Sequence, residues 1–583
     1  MANEALYGID LGTTNSCIAL IRNEMAEVVE IEEGSAIVPS VVSLDEATGS
    51  FIVGRRAKNR LSAYPDLTVR SVKRRMGHDE HVILGKLALS PEEVSAHILT
   101  YLAEEAGKTT GHPVKKVVIT VPAFFNDAQR RATIKAGELA GLEVVRIVNE
   151  PTAASLVYDY ADDGEALPES PYILVYDLGG GTFDVSILKL NGEIREVLAS
   201  CGDTALGGDD FDERLADHFA RHLLNTTDFD ARDGGQSLRT RLCEIAEKVK
   251  IRLSDESVVR VAEVGLHVYD GKPLNLDVEV SRREYEAMIR DLAERTIDKV
   301  GEALREASLT SNDIGRVILV GGATRTPLII ETLSEMFDTT IAHSIDPDLC
   351  VALGASVQHG IIAGEPLGRI LLDVTAHSLG IKTVDRIDYE TGDADYFSTI
   401  IRRNSRIPAK KSELYYTCHD NQKVIEIEVF QGESQSCKEN SRIGAFKFDL
   451  KAAPDACPLI AELSYDRDGI IHVVVEQKGY NNRREVTMDV RSCSVAEADG
   501  TVPALDEEVV NYMVQKARRL AADPGIPDDV RSRLESAIEG YAAALRDDAE
   551  GDNVDDLEDA LLELMEEAEE GDTGEDDTGE AGA

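Results

Sequence analysis

Residues 173–188 (ILVYDLGGGTFDVSIL) constrain the fold of this chain more than any other segment. Two apolar runs rich in β-branched residues are typical of buried strands. Between them, three glycines remove every Cβ atom, so backbone N–H groups can approach an anion closely. Asp177 and Asp184 flank this turn and would repel a bare phosphate, which favours a divalent cation nearby. The segment therefore predicts a phosphate-holding β-hairpin, with an ordinary glycine-rich turn as the alternative.

A second copy of the pattern lies at residues 6–20 (LYGIDLGTTNSCIAL). An apolar strand leads into Asp10, Leu11 and Gly12, and a threonine-rich turn and another apolar strand follow. Such an internal repeat fixes architecture rather than a local detail. We therefore expect two similar lobes that face one ligand.

The length of 583 residues exceeds what one core supports and predicts about three or four domains. No stretch approaches the roughly 18 uncharged apolar residues of a membrane span. Because the first strand already includes Tyr7, no room is left for a signal peptide, and we expect a cytoplasmic location. The eight cysteines are scattered and form no C-x-x-C pair, so neither disulfides nor zinc are expected.

The formal net charge of -47 is unevenly distributed along the chain. Residues 547–583 contain 18 acids and no base, which leaves -47 + 18 = -29 for the other residues. This acidity disfavours nucleic acid or an anionic membrane as a partner. Solubility or adaptation to salt is the simple explanation of the excess.

Residues 1–365 alternate strand and helix patterns, which is typical of α/β layering. Residues 117–121 (VVITV) predict a strand that stops at Pro122, followed by a helix over 127–142 with Asn126 as its N-cap. A later strand runs into residues 321–327 (GGATRTP), a turn before a helix where backbone N–H groups attract anions. A simple strand-to-helix turn is the alternative there.

The pattern changes after Gly368. Alternating apolar and polar residues predict a separate antiparallel β domain over 374–500, with strands near 423–430, 445–450, 459–465 and 470–476. Residues 505–545 are helical in pattern with a break at 524–527, and 554–568 predict a last acidic helix. The residues that follow it are expected to be disordered.

Several motifs occur in a fixed order: the two DLG hairpins, VPAFFNDAQR (121–130), VNEPTAA (148–154), GGDDFD (207–212), GGATRTP and the ILLD run (370–373). Over about residues 5–500 they resemble the seventy-kilodalton heat-shock chaperones of the DnaK type. The resemblance implies an α/β actin-like ATPase domain of two lobes (1–365), a hydrophobic linker (366–373), an antiparallel peptide-binding β-sandwich (374–500), a shortened α-helical lid (501–569) and a disordered acidic tail (570–583).

The resemblance also implies an ATP site. Lys73 would direct its ammonium toward the γ-phosphate and the attacking water, although taken alone it is typical of a solvated surface lysine. The implied catalytic residues are Lys73, Asp10, Glu150, Asp177, Thr182 and Asp184. Asp10 and Asp177 would hold Mg²⁺ largely through its waters. The implied nucleotide contacts are Gly12, Thr13, Thr14, Asn15, Gly179, Gly180, Gly181, Glu247, Lys250, Ser254, Gly321, Gly322, Arg325 and Asp348, of which the helical trio at 247, 250 and 254 shares one face.

Coupling and peptide binding are implied in the same way. The coupling residues are Pro122, Arg130 and Glu150 for the relay and Leu371, Leu372 and Asp373 for the linker that docks when ATP is bound. Without the resemblance, ILLD would be a buried strand segment. The peptide cleft would use Ile381, Thr383, Tyr415, Cys418, Ile425 and Ile427, with Ile425 near its centre. Apolar residues at period 2 are otherwise core residues.

The chain departs from the family pattern at a few positions. Ala323 replaces a frequent serine, Arg369 and Ile370 replace small aliphatic residues, Ala376-His377 replace Pro-Leu, and Phe124 replaces Tyr. The short lid is expected to release peptide faster. The expected function is an ATP-dependent chaperone, a monomer whose partners are unfolded polypeptides, a J-domain co-chaperone and a nucleotide-exchange factor. A specialised paralogue acting as a nucleotide-dependent scaffold, an actin-like filament and an actin-fold metabolite kinase are alternatives, and the long β domain argues against the kinase.

Overall fold

The structure is a computed structural model that describes most of the first 488 residues and scattered segments after them. The described residues are 5–22, 25–32, 34–157, 170–191, 194–342, 346–365, 367, 370–383, 396–418, 420–454, 456–466, 471–488, 495–497, 517, 521, 527–546, 557, 560–561 and 564. The predicted acidic tail and nearly all of the predicted helix at 554–568 lie outside them, as do residues 366, 368 and 369 of the predicted linker.

The strands of the described part follow in chain order: β1 (Leu6–Asp10), β2 (Asn15–Arg22), β3 (Met25–Val28), β4 (Val38–Pro39), β5 (Val41–Asp45), β6 (Ser50–Val53), β7 (Thr68–Arg70), β8 (Val82–Leu84), β9 (Leu87–Leu89), β10 (Lys116–Val121), β11 (Glu143–Asn149), β12 (Tyr172–Leu178), β13 (Phe183–Asn191), β14 (Ile194–Asp203), β15 (Val258–Tyr269), β16 (Lys272–Ser281), β17 (Ile314–Val320), β18 (Thr340–Ala342), β19 (Ile370–Leu372), β20 (Leu379–Thr383), β21 (Tyr396–Ile401), β22 (Ala409–Tyr416), β23 (Val424–Gln431), β24 (Ser441–Asp449), β25 (Pro458–Tyr465), β26 (Ile471–Gln477), β27 (Asn482–Met488) and β28 (Val495–Glu497).

The α-helices of the same residues are α1 (Arg55–Lys58), α2 (Pro91–Thr110), α3 (Asp127–Leu139), α4 (Glu150–Ser155), α5 (Gly208–Thr227), α6 (Gly235–Asp255), α7 (Arg282–Glu306), α8 (Pro327–Met336), α9 (Cys350–Ile362) and α10 (Asp528–Arg546). Within the described part of the chain, no helix is both long enough and apolar enough to cross a membrane.

The chain divides into two compact units. The first comprises Met1–Ile407, Glu428–Gly444 and Val490–Cys493, and the second comprises Pro408–Ile427, Ala445–Asp489 and Ser494–Ala583. The division passes through β23 and β24, so each of these strands contributes residues to both units. The five-part division expected from the sequence stays a prediction.

Two large sheets in the first unit share one topology. Their strand orders are β11-β10-β1-β2-β3 and β18-β17-β12-β13-β14-β19. In each sheet an antiparallel hairpin lies beside a parallel strand, β10 in one sheet and β17 in the other. The predicted hairpins and their repetition are therefore confirmed, and each sheet builds one lobe.

The strand β12 shows why both flanks of its hairpin are apolar. Leu174 and Tyr176 pack into the largest core cluster of the unit, which also contains helices α5, α6 and α7. Ile173 and Val175 point to the other face, where α4 and α9 supply buried residues. Because helices cover both faces, the strand is a continuous apolar run rather than an alternating one.

Local signals set the start and end of helix α3. Asn126 is its N-cap as predicted, and its side chain accepts a hydrogen bond from the Gln129 amide. The helix ends at Leu139 rather than at the predicted Leu142. The cause is Gly141, whose φ of +75° starts a C-terminal motif in which the Leu142 amide donates to the Gly137 carbonyl.

The short strand β19 contains the residues of the ILLD run before Asp373. It adds to the edge of the second large sheet, parallel to β14, with Leu371 opposite Arg195 and Leu372 opposite Glu196. Leu372 is buried. Further along, β20 pairs with β21 and with Val429 to Gln431 of β23, all within the first unit.

The second unit contains an antiparallel sheet in the order β22-β25-β26-β27-β28. Buried and half-buried residues alternate along β25 and β26, as their sequences predict. In helix α10 the buried residues Val530, Leu534, Ile538 and Tyr541 recur at helical spacing and form one apolar stripe. The stripe packs with Ala517, Ala521 and Leu561 in a separate small core.

Candidate active site

The turns of the two repeated hairpins lie against each other. A Cβ atom on Gly180 would sit 1.7 Å from Thr14 Oγ1, and one on Gly181 would sit 2.5 Å from Thr13 Cγ2. Only glycine fits at positions 180 and 181, because the two turns are in direct contact there. Thr14 Oγ1 is buried and has no hydrogen-bond partner among the described residues. A phosphate oxygen would satisfy this hydroxyl, so the cradle fits the nucleotide expected from the sequence.

Acidic side chains from both lobes surround one buried lysine. Lys73, in a short 3-10 helix (Val72–Arg75), forms a salt bridge with Glu150 at the start of α4. The exposed fractions of the two side chains are only 4% and 10%. Asp10 ends β1, where it accepts a hydrogen bond from Thr120 Oγ1 at 3.1 Å. The structure thus brings residues that are far apart in sequence into one site.

Asp177 and Asp184 are cross-strand neighbours in the second hairpin. Both are buried, and Asp184 Oδ1 accepts a hydrogen bond from the Phe124 amide at 2.9 Å. Thr182 lies in the turn between them, is buried, and accepts a hydrogen bond from the Gly179 amide through its carbonyl oxygen. These residues complete the predicted catalytic set in one place.

Burial and mutual repulsion raise the pKa values of the acids. Burial, followed by the charge of Glu150, raises the pKa of Asp10 to about 7 and that of Asp184 to about 7. The pKa of Asp177 is raised for the same two reasons, with further repulsion from Asp184 and Asp10. Lys73 lowers all three pKa values. One ammonium among four buried carboxylates leaves excess negative charge, and this donor set fits a divalent cation such as Mg²⁺.

The GGDDFD segment holds the phosphate turn by its backbone. The Gly208 amide donates to the Gly179 carbonyl at 2.9 Å, and the Asp209 amide donates to the Gly180 carbonyl at 2.7 Å. From the other lobe, Arg74 Nε donates to the Gly181 carbonyl at 2.9 Å. Every carbonyl of the glycine run is therefore engaged. The Gly179 amide is engaged as well, by the Thr182 carbonyl, so the amides of Gly180 and Gly181 are the ones left among the described residues to bind a phosphate.

Replacing Gly207 with alanine is expected to weaken nucleotide binding by roughly tenfold or more, because overpacking of a rigid site costs about 1–3 kcal/mol. A Cβ at this position would lie 2.6 Å from the Gly180 carbonyl group and 2.6 Å from the Gly181 nitrogen, and these backbone atoms cannot rotate away. Titration with a fluorescent ATP analogue measures the effect. Gly107→Ala is the matched control, since its Cβ in helix α2 would make only ordinary contacts at 3.5 Å and beyond. Equal affinities of the two variants would contradict the prediction.

The predicted adenosine contacts lie along helix α6 and the turn after β17. Lys250 Nζ donates to the Gly208 carbonyl and pairs with Asp212, each at 2.9 Å. Glu247, one turn earlier, pairs with Lys58 at 2.7 Å. Ser254 lies one turn later on the same helix, and its carbonyl accepts a hydrogen bond from Arg282.

The GGATRTP turn after β17 packs against the phosphate hairpin within the second lobe. A Cβ on Gly321 would lie 2.4 Å from the Leu178 carbonyl, and one on Gly322 would lie 3.0 Å from Asp348 Oδ1. Arg325 pairs with Asp348 at 3.2 Å and with Asp346 at 2.8 Å. Gly208 and Ala323 are also close, since a Cβ on Gly208 would lie 3.4 Å from the Ala323 Cβ. The predicted adenosine residues of both elements are therefore neighbours.

A hydrogen-bonded chain leads from the site to the ILLD run. Asn149, next to Glu150, accepts a hydrogen bond from Arg130 Nη2 at 2.7 Å and donates to Asp373 Oδ2 at 2.9 Å. Arg130 also donates to the carbonyls of Ala123 and Phe125, close to Pro122. Burial raises the pKa of the Asp373 carboxyl, while the Val374 amide and Arg130 lower it. All of the predicted coupling residues lie on or beside this path.

The residues of the predicted peptide cleft fall in both compact units. Ile381 and Thr383 belong to the first unit, where Ile381 is buried and Thr383 is half-buried. Tyr415, Cys418, Ile425 and Ile427 belong to the second, where Ile427 is buried, Tyr415 and Ile425 are half-buried and Cys418 is exposed. The cleft stays a prediction.

Sequence reasoning assigned no role to several contacts of the site. Asp212 is buried in α5 and pairs with Lys250, and an acid on the apolar face of an amphipathic helix could have indicated it. Arg74 Nε and the Phe124 amide act on groups 107 and 60 residues away. Because one contact targets a carbonyl and the other comes from a backbone N–H, no side-chain pattern reports them.

The two lobes share one topology, and they meet at glycine turns, buried acids and a lysine. These features define a nucleotide-binding ATPase of the two-lobed actin-like class.

The family model for the Hsp70 protein matches residues 6–84 and 79–580. The chaperone protein DnaK of Halobacterium salinarum is 40% identical over 492 residues, which cover 84% of this chain and 76% of that protein. DnaK of Mesomycoplasma hyopneumoniae (strain 232) is 39% identical over 568 residues, with coverages of 97% and 90%. DnaK of Thermotoga neapolitana is 39% identical over 570 residues, with 93% of each chain covered.

The chain belongs to the Hsp70 family. The family identification made from the sequence motifs is confirmed, as is the expectation of an ATP-hydrolysing chaperone with a nucleotide-binding part and a substrate-binding part.

Proposed function

We propose that this protein binds extended apolar segments of unfolded polypeptides and releases them when ATP binds, with Mg²⁺ as the metal of its ATPase site. The observation that carries the proposal is the buried Lys73–Glu150 pair, which lies beside three further acids and next to the Asn149–Asp373 hydrogen bond. The residue that pairs with Lys73 (Glu150) and the residue that binds the linker segment (Asn149) are thus adjacent in the chain.

The chemistry of this site is positioning and electrostatic stabilisation. Lys73, fixed by Glu150, supplies positive charge to the γ-phosphoryl group in the transition state. Asp184 is held through Oδ1 by the Phe124 amide, so its other oxygen can accept a hydrogen bond from the attacking water. The hydroxyls of Thr13, Thr14 and Thr182 and the amides of Gly180 and Gly181 bind phosphate oxygens. When bound by Asp10 and Asp177, Mg²⁺ would neutralise phosphate charge.

Peptide binding belongs to the β strands after Asp373. An extended peptide can pair with exposed backbone and place one apolar side chain in a pocket, and the alternating strands support such a site. We assign the cleft to Ile381, Thr383, Tyr415, Cys418, Ile425 and Ile427 within a β-sandwich at 374–500. A short helical lid at 501–569, which includes α10, would cover it and release peptide quickly.

The partners proposed are a J-domain co-chaperone and a nucleotide-exchange factor, acting on a cytoplasmic monomer. The test is steady-state ATP hydrolysis with and without an unfolded peptide and a J-domain protein. Stimulation by both together is expected. A rate that neither addition changes would favour the nucleotide-dependent scaffold instead, and phosphate transfer to a small-molecule acceptor would favour the kinase.

Replacing Ile425 with phenylalanine is expected to weaken binding of an unfolded client peptide by about tenfold, since overpacking a formed pocket costs about 1–3 kcal/mol. Ile425 is half-buried on β23, whereas its neighbour Val424 is 43% exposed on the opposite face of the strand. Val424→Phe is therefore the matched control. Fluorescence polarisation with a labelled peptide measures both variants. Unchanged affinity of Ile425→Phe would remove this residue from the cleft.

A further inference from the structure

His377 contacts Phe124 twice, once at its backbone carbonyl and once at its aromatic ring. Its Nε2 lies 3.1 Å from the Phe124 carbonyl oxygen. Since a carbonyl only accepts, Nε2 carries the proton and donates. The imidazole also packs against the Phe124 ring edge to face, with centroids 4.4 Å apart and an interplanar angle of 63°. This pairing joins two positions at which the chain departs from the family pattern.

Phe124 is held from the other side by a catalytic group. Its amide donates to Asp184 Oδ1 at 2.9 Å. The packing around this bond is tight, because a Cβ on Gly202 would lie 2.7 Å from Asp184 Oδ1 and 2.8 Å from the Phe124 Cβ. A shift of the Phe124 backbone therefore moves the hydrogen-bond donor of Asp184.

The residue after His377 is anchored within the same compact unit. The Ser378 amide and hydroxyl donate to the two carboxylate oxygens of Glu433 at 2.8 and 2.9 Å. The Gly432 amide donates back to the Ser378 carbonyl at 3.0 Å. His377 thus connects an anchored β segment on one side with Phe124 and Asp184 on the other.

We propose that His377 is a positioning residue that fastens the segment after the linker to Phe124 and, through Phe124, to Asp184. Docking of that segment and placement of Asp184 then favour each other. This inference rests on the proposed ATP-driven release of peptide, and it adds a link that the relay through Arg130 and Asp373 does not contain. His377 occupies a position at which the family pattern has leucine.

The groups around the His377 ring determine how the contact with Phe124 depends on pH. Burial lowers the pKa of His377, Glu433 and the Phe124 carbonyl act in the opposite direction, and Arg130 and Arg403 lower it further. Because the lowered pKa belongs to the docked ring, the docked arrangement binds fewer protons than a free segment. The link is therefore complete above about pH 6.5 and weakens as the pH falls below that value.

The experiment compares the full-length protein with His377→Leu and His377→Gln. Leucine keeps the bulk and removes the donor, whereas the glutamine amide can replace Nε2–H. Stopped-flow release of a labelled peptide after ATP addition is expected to slow roughly fivefold in His377→Leu and to recover in His377→Gln, which is the size of one lost hydrogen bond. Between pH 7.5 and 5.5, release by the wild type should fall several-fold more than release by His377→Leu.

Hydrogen exchange of the Phe124 amide provides a readout that needs no peptide. The amide should exchange faster in His377→Leu with ATP bound and return to the wild-type rate in His377→Gln. If wild-type protein hydrolyses ATP without releasing peptide, the proposed function fails, and the exchange rates alone decide the contact. Equal release, exchange and pH profiles in His377→Leu and wild type would overturn the inference, as would a His377→Gln variant that behaves like His377→Leu.

Discussion

Replacing Lys73 with methionine is expected to lower the rate of ATP hydrolysis in a single turnover by about 100-fold, the effect of removing one charge-stabilising donor from an active site. Lys73 is almost fully buried and forms a salt bridge with Glu150. Its charge lowers the pKa values of Asp10, Asp177 and Asp184. Without it the cluster of Asp10, Glu150, Asp177 and Asp184 contains no lysine ammonium to offset its negative charge. Nucleotide affinity should change much less, because the turn amides and hydroxyls that bind the phosphates remain.

Lys116→Met is the control for a lysine outside the site, since its side chain is 42% exposed and lies 3.6 Å from Glu143. A second variant separates chemistry from stability. Removing Lys73 alone leaves Glu150 buried without its partner, which destabilises a protein by about 3–5 kcal/mol. The double variant Lys73→Met/Glu150→Gln should regain much of that stability and stay inactive. An unchanged single-turnover rate in Lys73→Met would remove the lysine from the mechanism.

The hairpins of this site were predictable because their signals are local. Apolar strands and a DLG segment before a turn, which is rich in threonine in the first hairpin and in glycine in the second, specify each hairpin within about fifteen residues. The structure pairs Asp177 with Asp184 as the turn requires. The N-cap at Asn126 is local in the same sense. The end of α3 differed, because Gly141 at positive φ ends a helical pattern that continues to Leu142.

Contacts between residues far apart in the chain were not predictable from local sequence. The segment around Lys73 (VKRR) is typical of a solvated surface, and only the family resemblance placed the lysine in the site. Its partner Glu150 is 77 residues away. The contact of His377 with Phe124 spans 253 residues and ends on a carbonyl oxygen. The sequence marked both residues as departures from the family, but side-chain types alone do not report a bond to the backbone.

Replacing Asp373 with alanine is expected to slow ATP-driven peptide release by at least about tenfold, or about 1.4 kcal/mol. The side chain accepts hydrogen bonds from Asn149 Nδ2 at 2.9 Å and from the Val374 amide at 2.8 Å. Its backbone carbonyl accepts a bond from the Ile407 amide, so the residue ties the ILLD run to the β segment within the same unit. Alanine leaves the Asn149 amide without its acceptor, which costs about 1–3 kcal/mol when the group is buried. ATP affinity should be retained, because Asp373 contacts none of the predicted nucleotide residues directly.

The partner of Asp373 allows the coupling energy itself to be measured. Asn149→Ala removes the donor of the same bond, although it also removes the acceptor of Arg130 Nη2. If the bond carries the coupling, the double variant should release peptide little more slowly than Asp373→Ala alone, with an interaction energy of about 0.5–3 kcal/mol in the cycle. Asp373→Asn keeps an oxygen that can accept from Asn149 and should lie between the wild type and the alanine variant. Additive effects of the two alanine substitutions would show that each acts separately, and full release by Asp373→Ala would place the residue outside the coupling path.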